Sequence, residues 1–113
     1  MKLKAGDVAL IQMPQADGKL KPRPILLLKK MPPYDDWLVC GISTQLQQES
    51  KDFDVVILDK ETHFKATGLK SSSLIRLGFL TVVPESKIPG TIGMVPSAIV
   101  KELQKRLAAH LLK

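Results

Sequence analysis

The sequence predicts a mainly β fold with one C-terminal helix. Three observations carry this: short apolar runs separated by turn residues, no long helical pattern between them, and a single segment of helical periodicity at the end. Parallel neighbours need long crossover connections, so closely spaced strands without intervening helices favour a small antiparallel barrel.

The first strand is read in "GDVALIQ", where the turn pair Gly6-Asp7 leads into Val8, Leu10 and Ile11. "QADGKLKP" follows as an exposed loop, marked by Asp17-Gly18, and the span from Met13 to Pro22 is expected to be mobile. A second strand is read in "PILLLKK", a continuous apolar run of strand length. After the "MPPYDD" break come a third strand in "WLVCGI", a fourth in "FDVVIL" and a long fifth in "SLIRLGFLTVV", bent at Gly78. The terminal helix follows Pro96 with Ser97 as its cap, and Ile99, Leu103, Leu107 and Leu111 recur on one face. Glu102 and Arg106 are spaced to pair on its surface.

Composition narrows the function. The chain of 113 residues, 44% hydrophobic, reads as one domain over residues 1–113 with a modest core. No apolar run approaches the roughly 18 residues of a membrane span, and the N-terminus lacks the small-residue cleavage site of a signal peptide. A cytoplasmic protein without membrane association is expected. The single cysteine, Cys40, excludes an intramolecular disulfide framework and suits a small buried hydrophobe.

A net charge of +6 favours anionic partners, nucleic acid first, although lysines also serve solubility. Lys19, Lys21, Arg23, Lys29 and Lys30 fall close together. The aromatic residues are scattered, which gives little sign of a stacking platform for single strands.

A search for catalytic motifs is largely negative. There is no glycine-rich phosphate loop, HExxH or GxSxG, and His63 and His110 stand alone, the first in a loop and the second near a helix terminus. Two strand ends remain. If the second and third strands form a hairpin, Arg23 at the start of one lies beside "STQ", Ser43 to Gln45, at the end of the other. A guanidinium fork and hydroxyls beside basic residues suit a phosphodiester: the fork binds non-bridging oxygens and a hydroxyl donates to developing charge. The alternative is a rim salt bridge from Arg23 to Asp7, with Ser43 and Thr44 merely ending a strand.

The ordered series "GDVALIQMPQADGKLKPRPILLL", "LVCGISTQ", "GLKSSSLIRLGFLTVV" and "IGMVPSAIVKELQKRLAAHLL" resembles the PemK/MazF family of toxins over nearly the whole chain. The resemblance implies a small SH3-like barrel of the CcdB/MazF type, usually homodimeric. It also implies a sequence-specific, metal-independent and cofactor-free endoribonuclease on single-stranded RNA, an mRNA interferase. The ribose 2′-hydroxyl attacks the adjacent phosphorus, leaving a 2′,3′-cyclic phosphate. Arg23 then matches the family's catalytic arginine, Ser43 the usual threonine and Thr44 a flanking small residue, with Lys19, Lys21 and Gln45 as substrate-binding candidates. Gly6, Asp7 and Pro24 match architectural positions, Asp7 fixing the first strand or orienting the arginine. A cognate antitoxin with an extended acidic segment is implied as partner, contact with operator DNA passing only through it.

This chain departs from the pattern at Ser43, which lacks threonine's methyl, and at Thr81, where the family commonly has a second arginine. Arg76, five residues earlier, is not a simple substitute. No general base is assigned. Two other readings stay open: a barrel that binds nucleic acid without cutting it, and a CcdB-like toxin that inhibits a protein such as gyrase.

Overall fold

A computed structural model describes residues 2–113. Six strands form one antiparallel, curled sheet: β1 (Asp7–Pro14), β2 (Leu20–Met31), β3 (Asp36–Ser43), β4 (Val55–Ile57), β5 (Ser73–Val83) and β6 (Thr91–Met94), in the order β4-β5-β3-β2-β1-β6. One helix, α1 (Ser97–Leu111), follows. The mainly β architecture with a terminal helix is as the sequence predicts, with one more strand.

The continuous apolar run of β2 has a direct cause: the sheet is covered on both faces. Leu26 and Leu28 point to the side where Val8, Cys40, Ile75 and the helix residues Val100, Leu103 and Leu107 pack. Ile25 and Leu27 point to the other, against Ala9, Trp37, Val39, Val83 and Ile88. Leu28 is an extra residue where the β2–β3 register shifts, and its carbonyl accepts a hydrogen bond from Gln104 Nε2 at 2.8 Å. A bulge in the strand thereby becomes the anchor of the helix.

Several expectations are corrected. β1 and β2 pair as far as Pro14 with Leu20, so most of the span from Met13 to Pro22, read as a loop, is a hairpin arm, and only residues 15–19 turn. β3 pairs with β2 only from Ile25 onward, leaving Leu20–Pro24 with one open edge, where prolines without an N–H are tolerated. β6 escaped the sequence reading because four residues between prolines, one of them glycine, carry no periodic signal. The helix is capped at Pro96, and Ser97 makes no capping bond. Its buried stripe is Val100, Leu103 and Leu107, whereas Ile99 is half-buried and Leu111 is 71% exposed. The Glu102–Arg106 pair forms at 2.7 Å.

Gly6, at φ 98°, supplies the left-handed turn into β1, and Asp7 closes it by accepting from the Lys4 amide at 2.9 Å. Asp7 therefore fixes the start of β1 and makes no pair with Arg23.

Candidate active site

The bulge in β5 shapes the site. Gly41 of β3 pairs with Arg76, yet the adjacent Cys40 pairs with Leu80, so Leu77, Gly78 and Phe79 loop out opposite no partner. Three contacts hold this loop. The Leu77 side chain is buried in the core on the helix side, its amide donates to Asp54 Oδ1 at 2.9 Å, and the Phe79 ring lies over Gly41. Asp54 is itself buried, and its other oxygen accepts from the Ser50 amide at 2.9 Å.

Beside the bulge a groove of about 550 Å³ opens between the β1–β2 arm and the ends of β3 and β5. Continuing the ladder register of Ile25 with Gly41 by two residues sets Arg23 opposite Ser43. Both line the groove, together with Thr44 and Gln45. The convergence read from hairpin logic is therefore present. Lys19 and Lys21 do not line it; they sit exposed on the hairpin arm whose segment from Met13 to Ala16 does.

Each polar group has a defined setting. Arg23 is exposed, and its Nη2 donates to Gln15 Oε1 at 2.8 Å, which holds the guanidinium at the groove wall. Ser43 Oγ accepts from the Gln45 amide at 3.0 Å, fixing the oxygen and leaving the hydroxyl proton to donate. That bond supplies the positional restraint a threonine methyl would give. Gln45 Oε1 accepts from Gln47 at 2.8 Å.

Three groove residues lie outside the pattern legible in the sequence. Gln15 carried no signal, being one glutamine in a polar turn. Arg76, which family spacing does not match to the second arginine, faces the same groove as Arg23, half-buried. None of the ion pairs among the described residues involves it. Phe79, scattered in sequence from the other aromatics, is the one aromatic among the described residues that line the groove. With two guanidiniums and no carboxylate among its lining residues, the groove is electropositive.

The histidines lie elsewhere. His63 Nε2 is 3.1 Å from Glu61 Oε1, and the His110 ring packs 4.9 Å from that of Phe53. Cys40 is buried, and desolvation, with the Asp54 charge as a smaller cause, pushes its thiol up to about 12; it is no nucleophile. No helix among the described residues is long and apolar enough to cross a membrane.

Comparison with known proteins gives a consistent picture. Residues 4–111 match the family model described as PemK-like, MazF-like toxin of type II toxin-antitoxin system. No sequence among the curated proteins matches. Among solved structures, the Mycobacterium tuberculosis toxin MazF-mt6 superposes with a TM-score of 0.65 at 18% identity, covering 91% of this chain and 93% of that one. At that identity the likeness is one of fold.

Proposed function

Because the chain belongs to the PemK-like, MazF-like toxins of type II toxin-antitoxin systems, we propose that its groove is the active site of an endoribonuclease cutting single-stranded RNA. The observation that carries this reading is the convergence of Arg23, Ser43 and Arg76 in one groove without a carboxylate. A phosphodiester brings the negative charge that such a groove lacks.

In the proposed reaction the ribose 2′-oxygen bonds to the adjacent phosphorus and the bond to the 5′-oxygen breaks. The 2′-hydroxyl gives its proton to water and the departing oxygen takes one up. The products are a 2′,3′-cyclic phosphate and a free 5′-hydroxyl. Arg23, held by Gln15, binds the non-bridging oxygens with its fork. Ser43 donates its hydroxyl proton to charge developing on them, and Thr44 flanks it. The Gln45 amide nitrogen faces the nucleotide, and Lys19 and Lys21 hold flanking phosphates from the arm. These groups stabilise the transition state by charge and hydrogen bonding and call for no metal or cofactor.

The same charge suits neutralisation by an antitoxin's acidic segment laid in the groove, with operator DNA reached only through that partner. Exposed Leu80 and Val82 on β5 and Leu111 on α1 offer apolar surface for the homodimer. Cytoplasmic action follows from the substrate.

The test is incubation of the protein and of Arg23→Ala with long single-stranded RNA in excess EDTA, with the end groups identified. Cyclic phosphate ends from the parent alone are expected. Equal cutting by Arg23→Ala removes this residue from the mechanism. Intact RNA with salt-sensitive binding replaces the enzyme with a binding barrel, and growth arrest without RNA binding replaces it with a toxin acting on a protein target.

A further inference from the structure

A regular strand points residues i and i+3 to opposite faces, yet Arg76 and Phe79 open into the same groove. The bulge is the cause. With Leu77, Gly78 and Phe79 looped out of the ladder, the alternation of faces is broken before pairing resumes at Leu80. Gly41 completes the arrangement, because a Cβ there would sit 3.2 Å from the Phe79 ring, closer than ordinary contact. A side chain there would push the ring by a few tenths of an ångström, so glycine lets it rest closest on the strand.

This loop is a built feature. Leu77 is fully buried, and the buried Asp54 binds its amide. A Cβ on Gly78 would meet nothing within 4 Å, so this residue faces open space between two anchored neighbours. Phe79 retains 38% exposure although it rests on the protein, leaving ring surface turned toward the groove. The other aromatics are placed differently: Trp37 is buried, Phe53 and Phe64 pack on the helix-side core, and Tyr34 is 82% exposed away from the groove.

We propose that the β5 bulge forms a second-nucleotide subsite, in which Phe79 stacks on the base neighbouring the scissile bond and Arg76 binds the adjoining phosphate. This rests on the ribonuclease reading. A guanidinium and an aromatic ring a few residues apart match the repeat of single-stranded nucleic acid, which alternates charge and flat apolar surface. A ring accepts any base by its π face, so this subsite contributes affinity and registers the strand, and the choice of base is left to polar groups such as Gln45.

The experiment uses a 2′-O-methyl RNA oligonucleotide, which cannot supply the attacking hydroxyl, carrying 2-aminopurine at successive positions. Binding to the parent, Phe79→Leu and Arg76→Gln is followed by emission and by anisotropy across salt, and cleavage of unmodified RNA is measured in parallel. The parent is expected to change the emission at one position. Phe79→Leu, which keeps the apolar bulk over Gly41, is expected to abolish that change and weaken binding by about 10- to 100-fold. Arg76→Gln is expected to lower the slope of log affinity against log salt by about 0.7 and to leave the emission position unaltered. RNA cutting with binding and emission unmoved in Phe79→Leu overturns the subsite alone. Loss of the emission change without cutting by any form keeps the subsite and overturns the nuclease. Absence of binding by the parent overturns both.

Discussion

Replacing Asp54 with alanine removes a carboxylate that joins two backbone amides, Ser50 N and Leu77 N, each at 2.9 Å. The two amides differ. Leu77 N is buried within the bulge and has no ladder partner, whereas the Ser50 amide is only part-buried and water can reach it. An unsatisfied buried donor costs about 1–3 kcal/mol, and a hydrogen bond to a charged group contributes about 1.5–3 kcal/mol, so the expected loss is roughly 2.5–6 kcal/mol. For a domain of this size that lowers Tm by about 10–25 °C. The Asp54 carbonyl, which accepts from Arg106 Nη1 at 2.7 Å, is main chain and survives the change. Asp54→Asn keeps one acceptor but turns an NH2 toward the other amide, and should fall between the two. The control is Asp35→Asn, because Asp35 stands at φ 61°, a left-handed conformation that Asn tolerates as well as Asp. Its carboxylate pairs with Lys30 at 3.7 Å on an exposed surface, so its loss should cost under about 0.5 kcal/mol. Urea unfolding of the three variants, with amide exchange at Leu77, measures all of this. Equal midpoints for the Asp54 and Asp35 variants, or a Leu77 amide still protected in Asp54→Ala, would refute the claim that this carboxylate holds the bulge.

Three further outcomes are expected. Ser43→Ala should slow RNA cutting by roughly 10²- to 10³-fold and Thr44→Ala by much less, measured as single-turnover rates; the reverse order moves the donor role to Thr44. Gly93→Ala should destabilise by more than about 2 kcal/mol in urea unfolding, because its Cβ would collide with the Ala66 carbonyl and the Thr67 backbone; a smaller loss means that this segment yields. Cys40, with its thiol raised from 9.0 to about 12, stays neutral in the fold while the unfolded chain ionises. Its contribution to stability is therefore full below pH 9 and is lost as pH rises toward 12, a slope that Cys40→Ala should lack.

The strands were legible where apolar content was dense, as in β2, whose four buried residues stand together because both faces are covered. Arg23 and Ser43 could be paired from sequence because a hairpin fixes register over a short distance. The remainder of the groove depends on a register shift between strands distant in sequence, which no local pattern encodes. Alternation places Arg76 and Phe79 on opposite faces, and only the bulge, pinned by Asp54, reunites them. Likewise Asp54 reads as one acidic residue of the predicted fourth strand until its oxygens are seen on two amides. In the helix, an exact four-residue spacing picked Ile99 and Leu111, whereas a turn of about 3.6 residues puts Val100 on the buried stripe.

The sheet's margins determine how an extended chain can approach it. Along β6 the 3-10 turn Lys65–Thr67 lies so close that a Cβ on Gly68 would strike the Ile92 carbonyl, while β4, at the opposite margin, is three residues long. The open edge of the β1–β2 arm carries Pro22 and Pro24, which have no N–H to offer. Strand addition, whether by a copy of this protein that would start an aggregate or by a donated peptide strand, thus finds no long ladder to extend. An extended ligand is left to lie across the molecule and be held by side chains, which makes recognition depend on the charge and shape of what it carries.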